Sequence, residues 1–274
     1  MRSTMEKPCG HSWRVELIAF DLNGTILERG ETIPPIVKSF LGKVVKHGVR
    51  MTTASGRTLE DQLQIFKKNG LGASAGFPHY IIANEQEIYI LEGSEYKPYI
   101  QHNSKIRDSW LKVLPEAKRI INTELERLNN AGIKVKRDIN DEEAVKRGIL
   151  DLLFERVEDA KNEEKFLKNM LISISGLSCN RNYRLVQIIH SDAGKGATLK
   201  ALATLLNIPS SCVLCIGDSS NDLSMLNGHY GFLTATASNA DEDVKEAVRN
   251  CNGYIASKPF PRGIIEILRY YMCL

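Results

Sequence analysis

Asp21, Ser55, Lys195 and Asp218 lie far apart in the chain, yet together they are the residue types needed to attack a phosphoryl centre. Asp21 ends an apolar run in LIAFDLNGTIL, and a glycine-threonine turn follows at once. A carboxylate nucleophile that approaches an anion needs the repulsion between them cancelled. A Mg²⁺ ion held by Asp21 and Asp218 would do this, because hard oxygen ligands suit that ion. Lys195 would add a fixed positive charge beside nucleophile and phosphate. Ser55, with backbone N–H groups of the turn after Asp21, would hold the phosphoryl oxygens. Catalysis of this type is mostly positioning and charge stabilisation, and the set supplies both.

Such residues act together only if the fold brings them to one place. The first part of the chain alternates strand and helix patterns: RVELIAFDL, then PPIVKSFLGKVVKHG, VRMTTAS, TLEDQLQIFKKNG and HYIIAN. The rhythm returns in GATLKALATLLNI, CVLCIGD, NDLSMLNG, YGFLTAT, NADEDVKEAVRNC and RGIIEILRYYM. This predicts an α/β protein with a Rossmann-like, doubly wound parallel sheet and right-handed crossovers. In such sheets ligands bind beyond the carboxyl ends of the strands, where strand order reverses. Asp21 and Asp218 end strands, Ser55 follows one in TTASGR, and Lys195 opens a helix in DAGKGATL, so all four would face one crevice.

Residues from about Glu87 to Gln187 follow another rhythm and predict an inserted α+β cap domain. QEIYILEGSEYKPYI reads as a hairpin, and SWLKVLPEAKRIINTELERLNNAG as a long helix interrupted or begun near Pro115. IKVKRDI reads as a strand, the charged DEEAVKRGILDLLFERVEDAKNEEKFLKNM as helical, and MLISISG to YRLVQIIH as a closing hairpin. The expected division is a discontinuous core of residues 1–86 and 188–274 around a cap of residues 87–187.

The 274 residues, 43% hydrophobic and 25% charged, can bury one elaborated core or two modest ones. A net charge of +3 is too small to imply nucleic acid as a partner and fits an anionic small substrate slightly better than a cationic one. No apolar run reaches bilayer length, and MRSTMEKPCGHSW lacks the apolar stretch of a secretory signal, so no membrane association and a cytoplasmic location are expected. The cysteines at 9, 179, 212, 215, 251 and 273 show no framework spacing. Cys212 and Cys215 form a C-x-x-C, but in a strand residues three apart point to opposite faces, so the reading is two small core residues.

Four motifs, FDLNGTI, TASGR, KGATLKAL and GDSSNDLSML, occur in the order found in the haloacid dehalogenase superfamily, and the chain resembles its phosphohydrolases with a large α/β cap. That branch includes Cof-type sugar-phosphate phosphatases, phosphoglycolate phosphatases and sucrose-phosphate phosphatases. The resemblance implies that Asp21 forms an aspartyl-phosphate, that Ser55 and Lys195 bind the phosphoryl group with Gly56 in the same motif, and that Asp218 ligates Mg²⁺. The backbone carbonyl of Asn23 would be a further ligand. Asn221 and Asp222 would hold Lys195 or metal-bound water, with Asp222 counted among the metal-site residues.

The family's first motif carries a second aspartate where this chain has Asn23. That aspartate protonates the leaving alcohol and later activates water, whereas an amide donates a hydrogen bond but exchanges no proton. General acid–base help is typically worth about 10²- to 10⁴-fold. Three readings stay open: a slow hydrolase, an introduced change that traps a complex, or a phosphate-ligand binder or regulator. A phosphotransferase or mutase shares the same intermediate. The persistence of Asp21, Ser55, Lys195 and Asp218 argues against a wholly decayed site.

Other signals are weaker. DAGKGAT is not a P-loop, because Ile189 stands where that motif needs glycine, and GLGASAG misses the dinucleotide spacing. The six histidines show no zinc spacing. Arg57 follows the second motif and either reaches an anionic group of the substrate or is a surface arginine at a helix start. Asn180, Arg181, Asn182, Tyr183 and Arg184 form a polar cluster expected in a hairpin turn, either solvated or overhanging the site to read a sugar or acid. ERVEDAKNEEKFLK reads as a solvated helix face. The expected partner is a small phosphorylated metabolite, bound by a monomer or homodimer.

Overall fold

A computed structural model describes residues 14–28 and 30–272. Cys9, Cys273 and the N-terminal stretch MRSTMEKPCGHSW therefore lie outside the described residues.

The elements run β1 (Leu17–Phe20), α1 (Pro35–Lys46), β2 (Arg50–Ala54), α2 (Leu59–Lys68), β3 (Tyr80–Ala83), β4 (Glu87–Glu92) and β5 (Glu95–Pro98). The chain continues through α3 (Ile100–Asn130), β6 (Val135–Lys136), α4 (Asp141–Arg147), β7 (Ile149–Phe154), α5 (Val157–Leu171), β8 (Leu177–Asn182) and β9 (Leu185–His190). It closes with α6 (Lys195–Leu205), β10 (Val213–Ile216), α7 (Leu223–Leu226), β11 (Leu233–Thr236), α8 (Glu242–Asn250), β12 (Tyr254–Ile255) and α9 (Arg262–Met272).

Eight strands form one sheet in the order β12-β11-β10-β1-β2-β3-β4-β5. From β12 to β3 it is parallel, and its strands β1, β3 and β10 are buried on both sides because successive residues serve opposite helix layers. Ile18, Phe20 and Met51 pack with α1, α2 and α9, while Leu17, Ala19 and Cys215 pack with α6, α7 and α8. Strand order reverses between β1 and β10, so a crevice opens beyond their carboxyl ends. The register sets what faces it: Phe20 pairs with Ile216 on one side and Thr53 on the other. Asp21, Asp218 and Ser55 follow those residues by one or two positions.

β4 and β5 are antiparallel additions to this large sheet, with Tyr80 opposite Ile90 and Tyr89 opposite Pro98. The hairpin that the sequence assigns to the insertion therefore belongs to the core sheet. A tight turn after β3 makes pairing with that strand the local solution, and the second layer begins only beyond residue 98. Its own sheet is antiparallel, in the order β6-β7-β9-β8, and α3 and α5 cover it through Trp110, Leu114, Ile121, Leu152, Leu167 and Val186.

Two further expectations change here. Helix α3 runs unbroken through Pro115. The proline removes one backbone bond, but the buried stripe Trp110, Leu114, Ala117 and Ile121 continues on both sides of it. A proline costs about 3 kcal/mol in a helix interior, and each fully buried large apolar side chain offsets about 1.5–3 kcal/mol. The charged segment after Asn140 is not one helix. The Asn140 side chain caps α4, Gly148 at φ +66° ends it, and the apolar run Ile149–Phe154 becomes strand β7. Cys212 lies in a short 3₁₀ turn and Cys215 on buried β10; both are free, as are Cys179 and Cys251. Among the described residues no helix is long and apolar enough to cross a membrane.

Candidate active site

Lys195, at the start of α6, is wholly buried and joins the two acidic motifs. Its Nζ donates to Asp21 Oδ1 and to Asp222 Oδ1, each at 2.7 Å. The other oxygen of Asp222 accepts the backbone N–H groups of Asp218, at 2.8 Å, and Ser219, at 3.1 Å. Asp222 thus organises the turn after β10, and both its oxygens are already engaged. Asp218 is tied to the first motif by Thr25, whose hydroxyl donates to Asp218 Oδ1 at 3.0 Å. Gly24, at φ +74°, passes so close that an added Cβ would stand 2.2 Å from Asp218 Oδ2. The glycine of the first motif is thus required twice, by its backbone angle and by this approach.

One oxygen from each of Asp21, Asp218 and Asp222 lies within 4.8 Å of the others. Three carboxylates against one ammonium leave the cluster short of positive charge. Burial first, and this imbalance after it, show in the acidities. Burial raises Asp21 to about 6, opposed by Lys195. Burial, then Asp222 and Asp21, raise Asp218 to about 7. Burial alone would lower Lys195, but the two aspartates overrule it and raise it. Tightly grouped oxygen donors with uncompensated charge fit a hard divalent cation. Asp21 and Asp218 are the better placed to hold one, since Asp222 is committed to Lys195 and the backbone.

Ser55 is buried beside this group, and its Oγ accepts the Arg57 backbone N–H at 3.3 Å. Ser55, Gly56 and Arg57 line one cavity of about 330 Å³ together with Asp21, Asn23 and Asn221. Arg57 does not stand free in it. Its Nε and Nη2 donate to Asn23 Oδ1 at 3.2 and 2.8 Å, and its Nη1 pairs with Glu31 at 2.8 Å. Asn23 is therefore held with its amide oxygen toward the arginine.

Asn221 faces a residue absent from the sequence-based set. Its Nδ2 donates to Glu85 Oε1 at 3.1 Å, and Asn180 on β8 donates to Glu85 Oε2 at 2.7 Å. Glu85 is buried, sits at φ +61°, and its carboxyl is raised by that burial, with Lys195 opposing. It follows β3 as Asp21 follows β1, and that position at a parallel strand's carboxyl end is the signal that could have found it. Thr25 and Gln187 were also missed.

Arg181 is not among the residues lining this cavity. It lies on β8 rather than in the turn, with its side chain on the buried side of the strand's alternation. Its Nε pairs with Glu164 at 2.7 Å and its Nη2 donates to Ser220 Oγ at 2.6 Å. It fastens the second sheet to the turn after β10, and Asn182 is the member of that polar cluster that reaches the cavity.

A family model described as haloacid dehalogenase-like hydrolase matches residues 18–258. Phosphoglycolate phosphatase of Picrophilus torridus is 31% identical over 86 residues, which cover 31% of this chain and 34% of that protein. The matched stretch is thus about a third of that relative's length. The sucrose-phosphatase of Synechocystis superposes with a TM-score of 0.68 at 16% identity, covering 94% of this chain and 98% of that one. A haloacid dehalogenase-like hydrolase from Bacillus subtilis does so with a TM-score of 0.65 at 18% identity, covering 95% and 100%. These solved structures share the fold, with its Rossmann-like core, and the family match spans both acidic motifs and the lysine between them. The chain belongs to the haloacid dehalogenase-like hydrolases.

Proposed function

We propose that this protein hydrolyses a small phosphomonoester in the presence of Mg²⁺, with Asp21 as the nucleophile. The observation that carries the reading is the buried contact between Lys195 and Asp21, beside Asp218, at the point where strand order reverses. The Asp21 carboxylate attacks phosphorus, the bond to the leaving oxygen breaks, and the phosphoryl group rests on Asp21 as an acyl phosphate. Water then attacks phosphorus, releasing inorganic phosphate and restoring the carboxylate. Lys195 keeps Asp21 ionised and, with the Ser55 hydroxyl and the backbone at Gly56, neutralises the phosphoryl oxygens. Mg²⁺ at Asp21, Asp218 and the Asn23 carbonyl would cancel charge between nucleophile and phosphate.

Asn23 shapes the leaving step. Its oxygen is committed to Arg57, so its Nδ2 is the group left to hydrogen-bond the departing oxygen. It steadies that oxygen without protonating it, which favours leaving groups that need little protonation. Residues beyond 98 and up to about 187 act as a cap that shades the site, so a small metabolite is preferred over a macromolecule.

Phosphate release from p-nitrophenyl phosphate tests the reading. It should require Mg²⁺ and vanish in Asp21→Asn. Absence of release at any Mg²⁺ concentration, while a phosphorylated compound still raises thermal stability, favours the second reading that the lack of a proton donor at Asn23 suggests, a phosphate-ligand binder. Transfer to an added alcohol in place of release would indicate a phosphotransferase.

A further inference from the structure

Arg147 ends α4 in the second layer, yet it lines the same cavity as Asp21 and Ser55. Its position is fixed from the core side. Its carbonyl accepts a hydrogen bond from the Gln86 side chain, and the next residue, Gly148, packs so closely on that amide that an added Cβ would have to displace it. The Nε of Arg147 is buried without a hydrogen-bond partner.

Its charge is also unmatched. Arg57 is engaged by Glu31 and Asn23, and Lys195 by Asp21 and Asp222. Among the described residues no carboxylate pairs with Arg147. A buried donor without an acceptor is costly, and a guanidinium fork is shaped for a carboxylate or a phosphate. Beside it Gln187 and Asn182 present uncharged amides to the cavity. Asp21 thus lines this cavity with Lys195 buried behind it, and, although Asp61 and Glu85 also line it, the wall supplied by the second layer brings in a cation that neither of them pairs.

We propose that Arg147 binds a second anionic group of the substrate, away from the phosphate that is cleaved. The substrate is then a phosphomonoester that also carries a carboxylate or another phosphate, not a neutral sugar phosphate. This assignment rests on the reading of Asp21 as the residue that meets the scissile phosphate. Gln187 and Asn182 read polar groups on the carbon chain between the two anions.

Binding measured calorimetrically to the Asp21→Asn protein with Mg²⁺ separates the proposal from turnover. Glucose 6-phosphate, 6-phosphogluconate and fructose 1,6-bisphosphate are the probes, and they differ in the group remote from the shared phosphate. At least one of the latter two should bind about tenfold or more tightly than glucose 6-phosphate. Preference for 6-phosphogluconate identifies a carboxylate as the second group, and preference for the bisphosphate identifies a phosphate. Adding Arg147→Gln should bring the compounds within about twofold of one another, and Arg147→Lys should keep part of the preference, since it retains charge without the fork. Equal binding of all three, or a preference that survives Arg147→Gln, overturns the proposal. If equal binding accompanies phosphate release from p-nitrophenyl phosphate by the native protein, the role of Arg147 alone falls. If no probe binds and no phosphate is released, the phosphate-site reading falls and takes this one with it.

Discussion

Replacing Lys195 by methionine keeps the length and packing of the stem and removes only the charge. The ammonium it removes is wholly buried, 2.7 Å from Asp21 and 2.7 Å from Asp222. Breaking a buried ion pair by deleting one partner costs about 3–5 kcal/mol, because the remaining charge has no compensation. Asp222 retains two backbone donors, so the lower end, about 3 kcal/mol, is expected. For a chain of this size that corresponds to a fall in Tm of about 6–12 °C. The pH dependence has a definite sign. Burial already raises Asp21 to about 6 while Lys195 holds it down. Without the lysine its folded value rises further above the ordinary one. The deficit is therefore full above that raised value and shrinks as pH falls through it. Calorimetric unfolding of both proteins in EDTA, at about pH 5 and about pH 8, reads this directly. A deficit below about 1 kcal/mol at the higher pH, or a gap that fails to narrow at the lower, refutes the reasoning.

Asn23→Asp should accelerate phosphate release by at least about tenfold, short of the full 10²- to 10⁴-fold of a free acid, because Arg57 would hold the new carboxylate ionised. The gain should grow toward lower pH, and steady-state rates no faster than the parent's between about pH 5 and 8 would dismiss the role given to the amide. Gly24→Ala should destabilise by about 1–2 kcal/mol in denaturant titrations and weaken Mg²⁺ binding, since alanine is strained at φ +74° and its Cβ displaces Asp218; unchanged affinity for the cation would separate Asp218 from the metal. Glu163, buried near Glu124 with Arg127 between them, is raised to about 7 from 4.5, first by burial. It favours folding below about 4.5, and that contribution is lost as pH rises through about 7. Glu163→Gln should therefore stabilise by about 1–2 kcal/mol at about pH 8, discounted for the partly exposed Arg127, and flatten the stability profile between about pH 5 and 8. An unchanged slope would count against Glu163 as the group that titrates there.

The large sheet and its acidic crevice were legible because each contributor is local: an apolar run, a polar residue at its end, then a turn. Asp21, Ser55 and Asp218 carry that signature in their immediate neighbours, and a parallel sheet turns it into proximity. What could not be read is what depends on the second layer's docking. Arg147 and Gln187 look like ordinary residues of a helix end and a strand, and only the approach of Gly148 to Gln86 sets Arg147 over the cavity. Arg181 was singled out by its polar neighbours, but strand alternation turns it toward Glu164. The apolar stripe around Pro115 outweighs the helix-breaking signal of the proline, and the charges flanking Ile149–Phe154 conceal a strand that Gly148 separates from its helix.

Helix α3 makes the two layers mechanically dependent. Its first turn is bolted to β4, where the Asn103 side chain accepts from the Ile88 N–H at 2.9 Å and donates to the Ile88 carbonyl at 3.1 Å. Farther along, the same rod carries the smaller sheet. Its 31 residues make a lever about 46 Å long, so a tilt of about 10° at the foot sweeps the tip through about 8 Å. A small adjustment at one amide clamp would thereby be magnified into a displacement of the smaller sheet several times larger than the adjustment itself.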